Sequence, residues 1–329
     1  MPGNASQDLR FGDALWRPSA SLETIKARTE LYGSVRAFFS RRGVLEVDTP
    51  VMSAHATVDR HIESFAVPGG GWLQTSPEFA MKRLLCAGSG PIFQIAPAFR
   101  REERGRHHNP EFRLLEWYRP EWDHHLLMEE VEELFHALGI GCGRVFKRMS
   151  YREAFLLHAG LDPFTEPVAA LRERAMAGAV PMIELGGGEQ DRDAWLDLWM
   201  SYRVGPQLGL DAPVFLHDFP ASQAALARVR DDDPPVAERF ELFWKGLELA
   251  NGFHELSNAG EQRRRFENDQ AWREAQRHVV PPLDTHLLAA LQSGLPDCAG
   301  VALGLDRLLM LRLGLPELSA AISFDSRRA

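Results

Sequence analysis

FRREERGRHHNPEFRLLEWY, residues 99–118, is the densest local basic site in the chain, and its charges are mixed in sign. Alternate residues of an extended segment share a face, so Arg100 and Glu102 are predicted on one side of a first strand. Asn109-Pro110 interrupts the chain, and Phe112, Leu114, Glu116 and Tyr118 share one face of a second strand. A hairpin follows, its loop containing Gly105. One wall then offers a guanidinium, carboxylates, an aromatic ring and a phenol. That set suits ATP: arginine for phosphate, an aromatic face for the base, carboxylates for amines. A solvated hairpin whose Arg and Glu side chains pair with each other is the competing reading.

Around this hairpin, Ser21 is a candidate N-cap for a helix to about Arg42, with Ile25, Tyr32, Val35 and Phe39 as its apolar stripe and Gly43 ending it. Val44 to Val47 reads as a strand closed by Pro50, at a sheet edge because proline cannot donate to a ladder. Gly71 to Thr75, Ile92 to Ala98 and Arg113 to Trp117 are further strands, and Pro77 to Ala87 and Leu126 to Leu138 are helices. This mixture lacks regular βαβ alternation, so an antiparallel α+β domain is expected. Tyr151 to Asp233 carries little pattern. Gly186-Gly187-Gly188 there reads as a flexible loop, since no GxxxxGK[ST] surrounds it. From Val236 a helix or strand pair leads into LELANGFHEL, followed by a polar helix from Arg263 to His278.

The chain has 329 residues, 45% hydrophobic and 25% charged, and no linker or repeat divides it, so one domain over 1–329 is expected. Its net charge of -9 and pI near 5.8 argue against a protein built to grip a phosphate backbone. Cys86, Cys142 and Cys298 are far apart without CxxC or Cys/His ligand spacing, so neither a disulfide framework nor a zinc site is indicated, and a cytoplasmic protein is expected. Neither a signal peptide nor a run of ~20 apolar residues is present, so no membrane partner is expected.

Two more segments carry chemistry. In ELANGFHE, Glu248, Asn251 and Glu255 surround Gly252, and carboxylates kept close call for a cation; Mg²⁺ brought by ATP fits that need. An amphipathic segment with solvated glutamates accounts for it equally. GVALGLDRLLML, from Gly300, is a strand turning into an apolar helix with Arg307 at the junction, and a helix start favours an anion. An ordinary strand-turn-helix with Asp306 as N-cap serves as well.

In this order, RAFFSRRGVLEVDTP within about 21–50, FRREERGRHHNPEF within 99–118, and GVALGLDRLLML within 300–312 resemble the three signature motifs of class II aminoacyl-tRNA synthetases. LQTSPEFAMKRLL and ELANGFHEL look like the lysyl-tRNA synthetase subgroup. Only about twenty residues precede Ser21, so the anticodon-binding OB-fold of those enzymes is expected to be absent. The chain therefore resembles the elongation factor P lysine ligases, which look like a bare lysyl-tRNA synthetase catalytic domain.

The resemblance implies a class II catalytic fold, a six- or seven-stranded antiparallel sheet flanked by helices. It also implies a homodimer formed through the first motif, and the apolar stripe through Phe39 fits that. The implied reaction is ATP-dependent activation of lysine or (R)-β-lysine and transfer to a lysine side chain of elongation factor P, with ATP and Mg²⁺ as cofactors. Transfer to tRNA, or to a small acceptor, by a stand-alone synthetase paralogue is the alternative, and tRNA is not the expected partner. By motif position, Arg100 contacts the α-phosphate, Glu102 the adenine edge, and Phe112 and Arg307 sandwich the ring. Asn109 closes the loop, and Asn251 with the backbone at Leu249 and Gly304 completes the ATP site. Glu248 and Glu255 bind Mg²⁺. Ser76, Pro77, Glu78, Tyr118, Glu255 and Ala302 line the amino-acid pocket. Ala302 stands where lysyl-tRNA synthetases usually have glycine, and its methyl is expected to disfavour α-lysine. Arg101 stands where related ligases often have asparagine.

Overall fold

The computed structural model describes residues 15–141, 143–180, 188 and 190–329. It begins with α1 (Leu22–Arg41), whose N-terminus is capped as expected by Ser21, the hydroxyl accepting from the Thr24 N–H at 3.1 Å. Strand β1 (Leu45–Glu46) follows, then a small sheet of β2 (Met52–Ser53), β3 (Ala66–Val67) and β4 (Gly71–Leu73), and helix α2 (Glu78–Cys86). The hairpin of β5 (Ile92–Phe99) and β6 (Glu111–Pro120) comes next, followed by α3 (His124–Ala137) and β7 (Lys147–Ser150). Helices α4 (Tyr151–His158), α5 (Val168–Arg174) and α6 (Arg192–Trp199) fill the region that the sequence left unread. Strands β8 (Val214–Pro220), β9 (Val229–Arg230), β10 (Val236–Trp244) and β11 (Leu247–His254) lead to α7 (Ala259–Ala275) and α8 (Thr285–Gly294). Strand β12 (Cys298–Gly304) then turns directly into α9 (Leu305–Leu313).

The main sheet has nine strands, in the order β1-β5-β6-β12-β11-β10-β8-β7, with β9 on β10. From β5 to β8, and at β9, every pairing is antiparallel. At the two edges β1 joins β5 and β7 joins β8 in parallel. Both parallel pairs are separated in sequence by long crossovers containing helices, which is what parallel pairing needs. The α+β class is as expected; the two parallel edges enlarge the expected six- or seven-stranded sheet.

One face of the sheet packs on α1, α3 and α9 through Phe39, Trp117, Val131, Phe240, Val301 and Leu308. Phe39 stacks on Phe93 at 4.6 Å and is fully buried within its own chain. Val35 and Phe39 of the stripe are thus taken up by this core, whereas Ile25 and Tyr32 remain partly exposed. The other face carries two separate cores, one with α4 to α6 around Trp195 and Trp199 and one with α2, α7 and α8 around Met81, Leu287 and Leu288. Polar side chains lie on that face between them. No helix among the described residues is long and apolar enough to cross a membrane, and Cys86 and Cys298 are free thiols. Gly186 and Gly187 lie outside the described residues, as do Cys142 and residues 1–14.

Candidate active site

Register places the polar face precisely along the strands. Gln94 opposes Glu116, Glu116 opposes Ala302, Ala302 opposes Asn251 and Asn251 opposes Glu241, one row across five strands. Side chains two residues along share the same face, so Tyr118, Gly300, Phe253 and Arg239 form the next row. These rows are the floor of the site.

The hairpin holds one end. Its ladder runs from Ile92↔Tyr118 to Phe99↔Glu111, and Arg100 adds one more bond through its N–H to the Pro110 carbonyl at 2.9 Å. Beyond that the Arg101 N–H turns to the Glu63 carbonyl, so Glu102 sits in a turn and does not share a strand face with Arg100, correcting the expectation. The Arg100 guanidinium lies over the Phe112 ring at 5.1 Å, and its Nε is buried without a partner. Asn109 commits both ends of its amide: Nδ2 donates to the Glu111 carbonyl at 2.6 Å and Oδ1 accepts from the Ser326 N–H at 3.0 Å. These two bonds anchor the loop exit. Arg307, in the first turn of α9, donates to the carbonyls of His107 and Glu248 at 3.2 and 3.0 Å, tying loop to strand.

Asp306 is not the N-cap of α9; Gly304 is. Asp306 is instead turned inward, ion-paired with Arg28 of α1 and accepting the Arg113 N–H of β6 at 2.7 Å. The three motif segments meet at this carboxylate. A cavity of about 610 Å³ opens beside it, lined by Arg28, Tyr32, Phe99, Asn109 and Phe112. At Gly304 itself, an added Cβ would sit in ordinary contact with the Leu249 carbonyl at 3.7 Å and the Arg307 side chain at 3.9 Å.

Glu248 and Glu255 are not brought together. Seven residues of strand separate them by on the order of 20 Å, and Glu255, 1% exposed, is bound to Lys82 at 2.5 Å. The carboxylate that faces Glu248 belongs to Glu241 of β10. Burial, and then the charge of Glu248, push Glu241 up to about 7, even though Arg239 donates to it at 2.5 Å. Asn251 Oδ1, in register with Glu241, is buried without a partner. Glu241 thus has Glu248 within electrostatic reach and Asn251 as its register partner, side chains that carry the oxygen donors a hard divalent cation takes. The expected pairing of Glu248 with Glu255 is not what the fold brings together: Glu255 is held by Lys82, and the carboxylate acting on Glu248 is Glu241.

Glu255 belongs to the second pocket. Pro77 starts α2 and Ser76 Oγ accepts the Glu78 N–H at 3.4 Å, which sets Glu78 in the first turn. Four residues on, Lys82 donates to Glu78 at 2.7 Å, and it also pairs with Glu255. Tyr118 donates its hydroxyl to Glu116 at 2.7 Å, leaving Glu116 Oε2 buried and unpartnered. Gly300 makes this packing possible, because a Cβ there would lie 2.2 Å from the Tyr118 ring and 2.6 Å from Glu255 Oε1. Burial pushes Glu116 up to about 8, with the Glu78 charge adding to it. Burial likewise pushes Glu255 up to about 7, against the pull of Lys82. Burial alone would lower Lys82, but Glu255 and Glu78 together hold its ammonium well above the usual lysine range.

The sequence-predicted residues thus fall into two adjoining groups. Arg100, Phe112, Glu248, Leu249, Asn251, Gly304 and Arg307 surround the hairpin end of β11, whereas Ser76, Pro77, Glu78, Tyr118, Glu255 and Ala302 gather at the other end. Lys82, Glu116, Glu241 and Gly300 complete the groups and were not among the predicted site residues. Glu116 and Glu241 carried a signal, each being a carboxylate with apolar neighbours on both sides, Leu115 and Trp117 in one strand and Phe240 and Leu242 in the other.

The sequence matches the family described as tRNA synthetases class II (D, K and N) over residues 6–328. It is 50% identical over 319 residues to the elongation factor P (R)-beta-lysine ligase of Vibrio vulnificus, covering 94% of this chain and 97% of that one. The proteins of the same name from Vibrio cholerae and Edwardsiella ictaluri are 49% and 47% identical, covering 95% and 96% of this chain and 98% and 99% of theirs. With the sheet, the motif segments and their junction at Asp306 in place, the chain belongs to the class II tRNA synthetase family of the D, K and N type.

Proposed function

We propose that this chain is an ATP-dependent ligase that activates lysine or (R)-β-lysine as an adenylate and transfers it to a lysine side chain of elongation factor P. The relatives' names supply the acceptor and the substrate. The observation that carries the reading is the charge of the second pocket. Glu78, Glu116 and Glu255 face one resident ammonium, Lys82. Three ionised carboxylates against one ammonium leave two negative charges, matched by the two ammonium groups of a lysine-type substrate.

The substrate carboxylate attacks the α-phosphate of ATP; the bond to pyrophosphate breaks, and the acyl-adenylate remains. Arg100 is placed to stabilise charge growing on the phosphate oxygens, and its partnerless Nε supports that role. Phe112 and Arg307 flank the adenine, with the backbone at Leu249 and Gly304 beside it and Glu102 at its edge. Mg²⁺ would be held by Glu241, Glu248 and Asn251, and when bound it neutralises phosphate charge. In the second step a lysine amine of the acceptor, with a free pKa near ~10.4, loses a proton and attacks the adenylate carbonyl, and AMP leaves. Ala302 lies between Glu116 and Asn251 in the floor, where its methyl favours the β isomer over α-lysine.

The protein acts in the cytoplasm as a homodimer without tRNA in this reading. Exposed Leu22, Leu45 and Met52, at 67%, 56% and 49%, support a contact through the first-motif region, and sedimentation tests it. The activity itself is tested by ATP–pyrophosphate exchange. Exchange dependent on lysine or (R)-β-lysine, abolished in Arg100→Ala, is expected; near-normal exchange in that variant overturns the assignment.

A further inference from the structure

Three side chains from three elements converge away from both pockets. His124 is the first residue of α3, Glu238 lies on β10 and His254 ends β11. One nitrogen or oxygen from each lies within 4.8 Å of the other two. Alternation along the β10–β11 ladder sends Glu238 and His254 to the face opposite Arg239, Glu241 and Asn251, so this cluster is separate from the residues proposed for Mg²⁺.

Two observations set it apart from an ordinary polar cluster. His124 is 2% exposed, yet neither of its ring nitrogens has a hydrogen-bond partner. Buried polar atoms in that state are rare unless a ligand or ion completes them. His254 is held between two carboxylates, Nδ1 2.6 Å from Glu238 and Nε2 2.9 Å from Asp297, so a cation replacing the proton at Nδ1 would find the ring already aimed. A ligating histidine usually gives its second N–H to a carboxylate, which fixes the ring and raises its basicity. Asp297, itself held by Arg228 at 2.5 Å, is that carboxylate.

We infer that His124, Glu238 and His254 form a binding site for a divalent transition cation, best matched by Zn²⁺. Two imidazole nitrogens and one carboxylate oxygen are a zinc donor set that leaves a fourth position for water. Bonds of about 2.0–2.1 Å in tetrahedral geometry place donor atoms about 3.3 Å apart. Glu238 and His254 Nδ1 must therefore separate by roughly 0.7 Å to admit the ion, within the reach of a small rotation about each side chain. His125 and His217, with ring centroids 6.1 Å apart, flank the cluster outside the donor set. The ion would tie the start of α3 to the ends of two strands, a structural role separate from the proposed ligase chemistry.

The test uses the full chain, stripped with chelator and dialysed, then titrated with Zn²⁺ in excess Mg²⁺ and read by calorimetry and bound-metal analysis. One Zn²⁺ per chain at micromolar affinity or tighter is expected, with a rise in melting temperature. The same binding should survive His286→Ala, which removes a donor from the separate group of His55, Asp284 and His286. It should weaken at least about a hundredfold in Glu238→Gln and in His124→Asn. Glu238→Gln decides the matter if the buried His124 variant does not fold, since its Mg²⁺-supported pyrophosphate exchange reports a native fold. Absence of Zn²⁺ binding by the wild type, or undiminished binding in Glu238→Gln, overturns the inference.

Discussion

Arg28 and Asp306, 278 residues apart in sequence, form an ion pair, its carboxylate buried, that fastens the helix of the first motif to the helix of the third. The other oxygen of Asp306 accepts the Arg113 N–H, so the second motif is held at the same point. Breaking a buried pair by removing one partner leaves the other charge uncompensated, which costs about 3–5 kcal/mol. Arg28→Ala is therefore expected to lower unfolding stability by that amount in a denaturant titration. A change below about 1 kcal/mol would show that the junction is not structural.

Gly300→Ala puts a methyl group into the Tyr118 ring and the Glu255 carboxylate. The expected result is a KM for the lysine-type substrate raised at least about tenfold, equivalent to about 1.4 kcal/mol, while ATP binding persists. Exchange kinetics with each substrate varied in turn distinguish this from general misfolding.

Glu241, Glu248 and Glu255 separate the two pockets experimentally. Glu241→Gln and Glu248→Gln are expected to raise the Mg²⁺ concentration needed for half-maximal exchange. Glu255→Gln should raise the amino-acid KM with no change in Mg²⁺ requirement, because its carboxylate is paired with Lys82. A raised Mg²⁺ requirement in Glu255→Gln alone would restore the pairing expected from the sequence.

Protonation of the acidic pocket gives a pH dependence. Glu116 and Glu255, pushed to about 8 and 7 chiefly by burial, hold protons in the folded empty protein that the unfolded chain releases near pH 4.5. The folded state thus binds more protons between those values, so the empty protein loses stability as pH rises from about 4.5 through 7 to 8 and levels off above that. A substrate with two ammonium groups requires the ionised forms, so its binding should tighten over the same interval and release protons. Calorimetry in buffers of different ionisation enthalpy measures that release. Proton release unchanged in Glu116→Gln would contradict the assignment.

Local signals in the sequence located much of this structure. The Ser21 cap, the Asn109-Pro110 break and the alternation through Tyr118 each report on a few neighbouring residues, and each corresponds to an element found. What failed depended on distant partners. Arg100 and Glu102 were read as strand neighbours, but the ladder ends at Phe99 because the Arg101 N–H is drawn to Glu63. Glu248 and Glu255 were paired because they are close in sequence, whereas the carboxylate facing Glu248 comes from another strand. The alternative reading of Asp306 as a cap fails because the side chain turns inward to Arg28. From Tyr151 to Trp199 the described helices are only seven or eight residues long, so each shows its apolar face over about two turns, too short a run to stand out in the sequence.

The most direct measurement is the mass of the acceptor. Purified protein is incubated with ATP, Mg²⁺ and (R)-β-lysine or lysine, with elongation factor P and tRNA both present. The expected result is elongation factor P heavier by one lysine-type residue on a single lysine side chain, lost in Arg100→Ala, with tRNA unlabelled. Aminoacylated tRNA with unmodified elongation factor P would contradict the account.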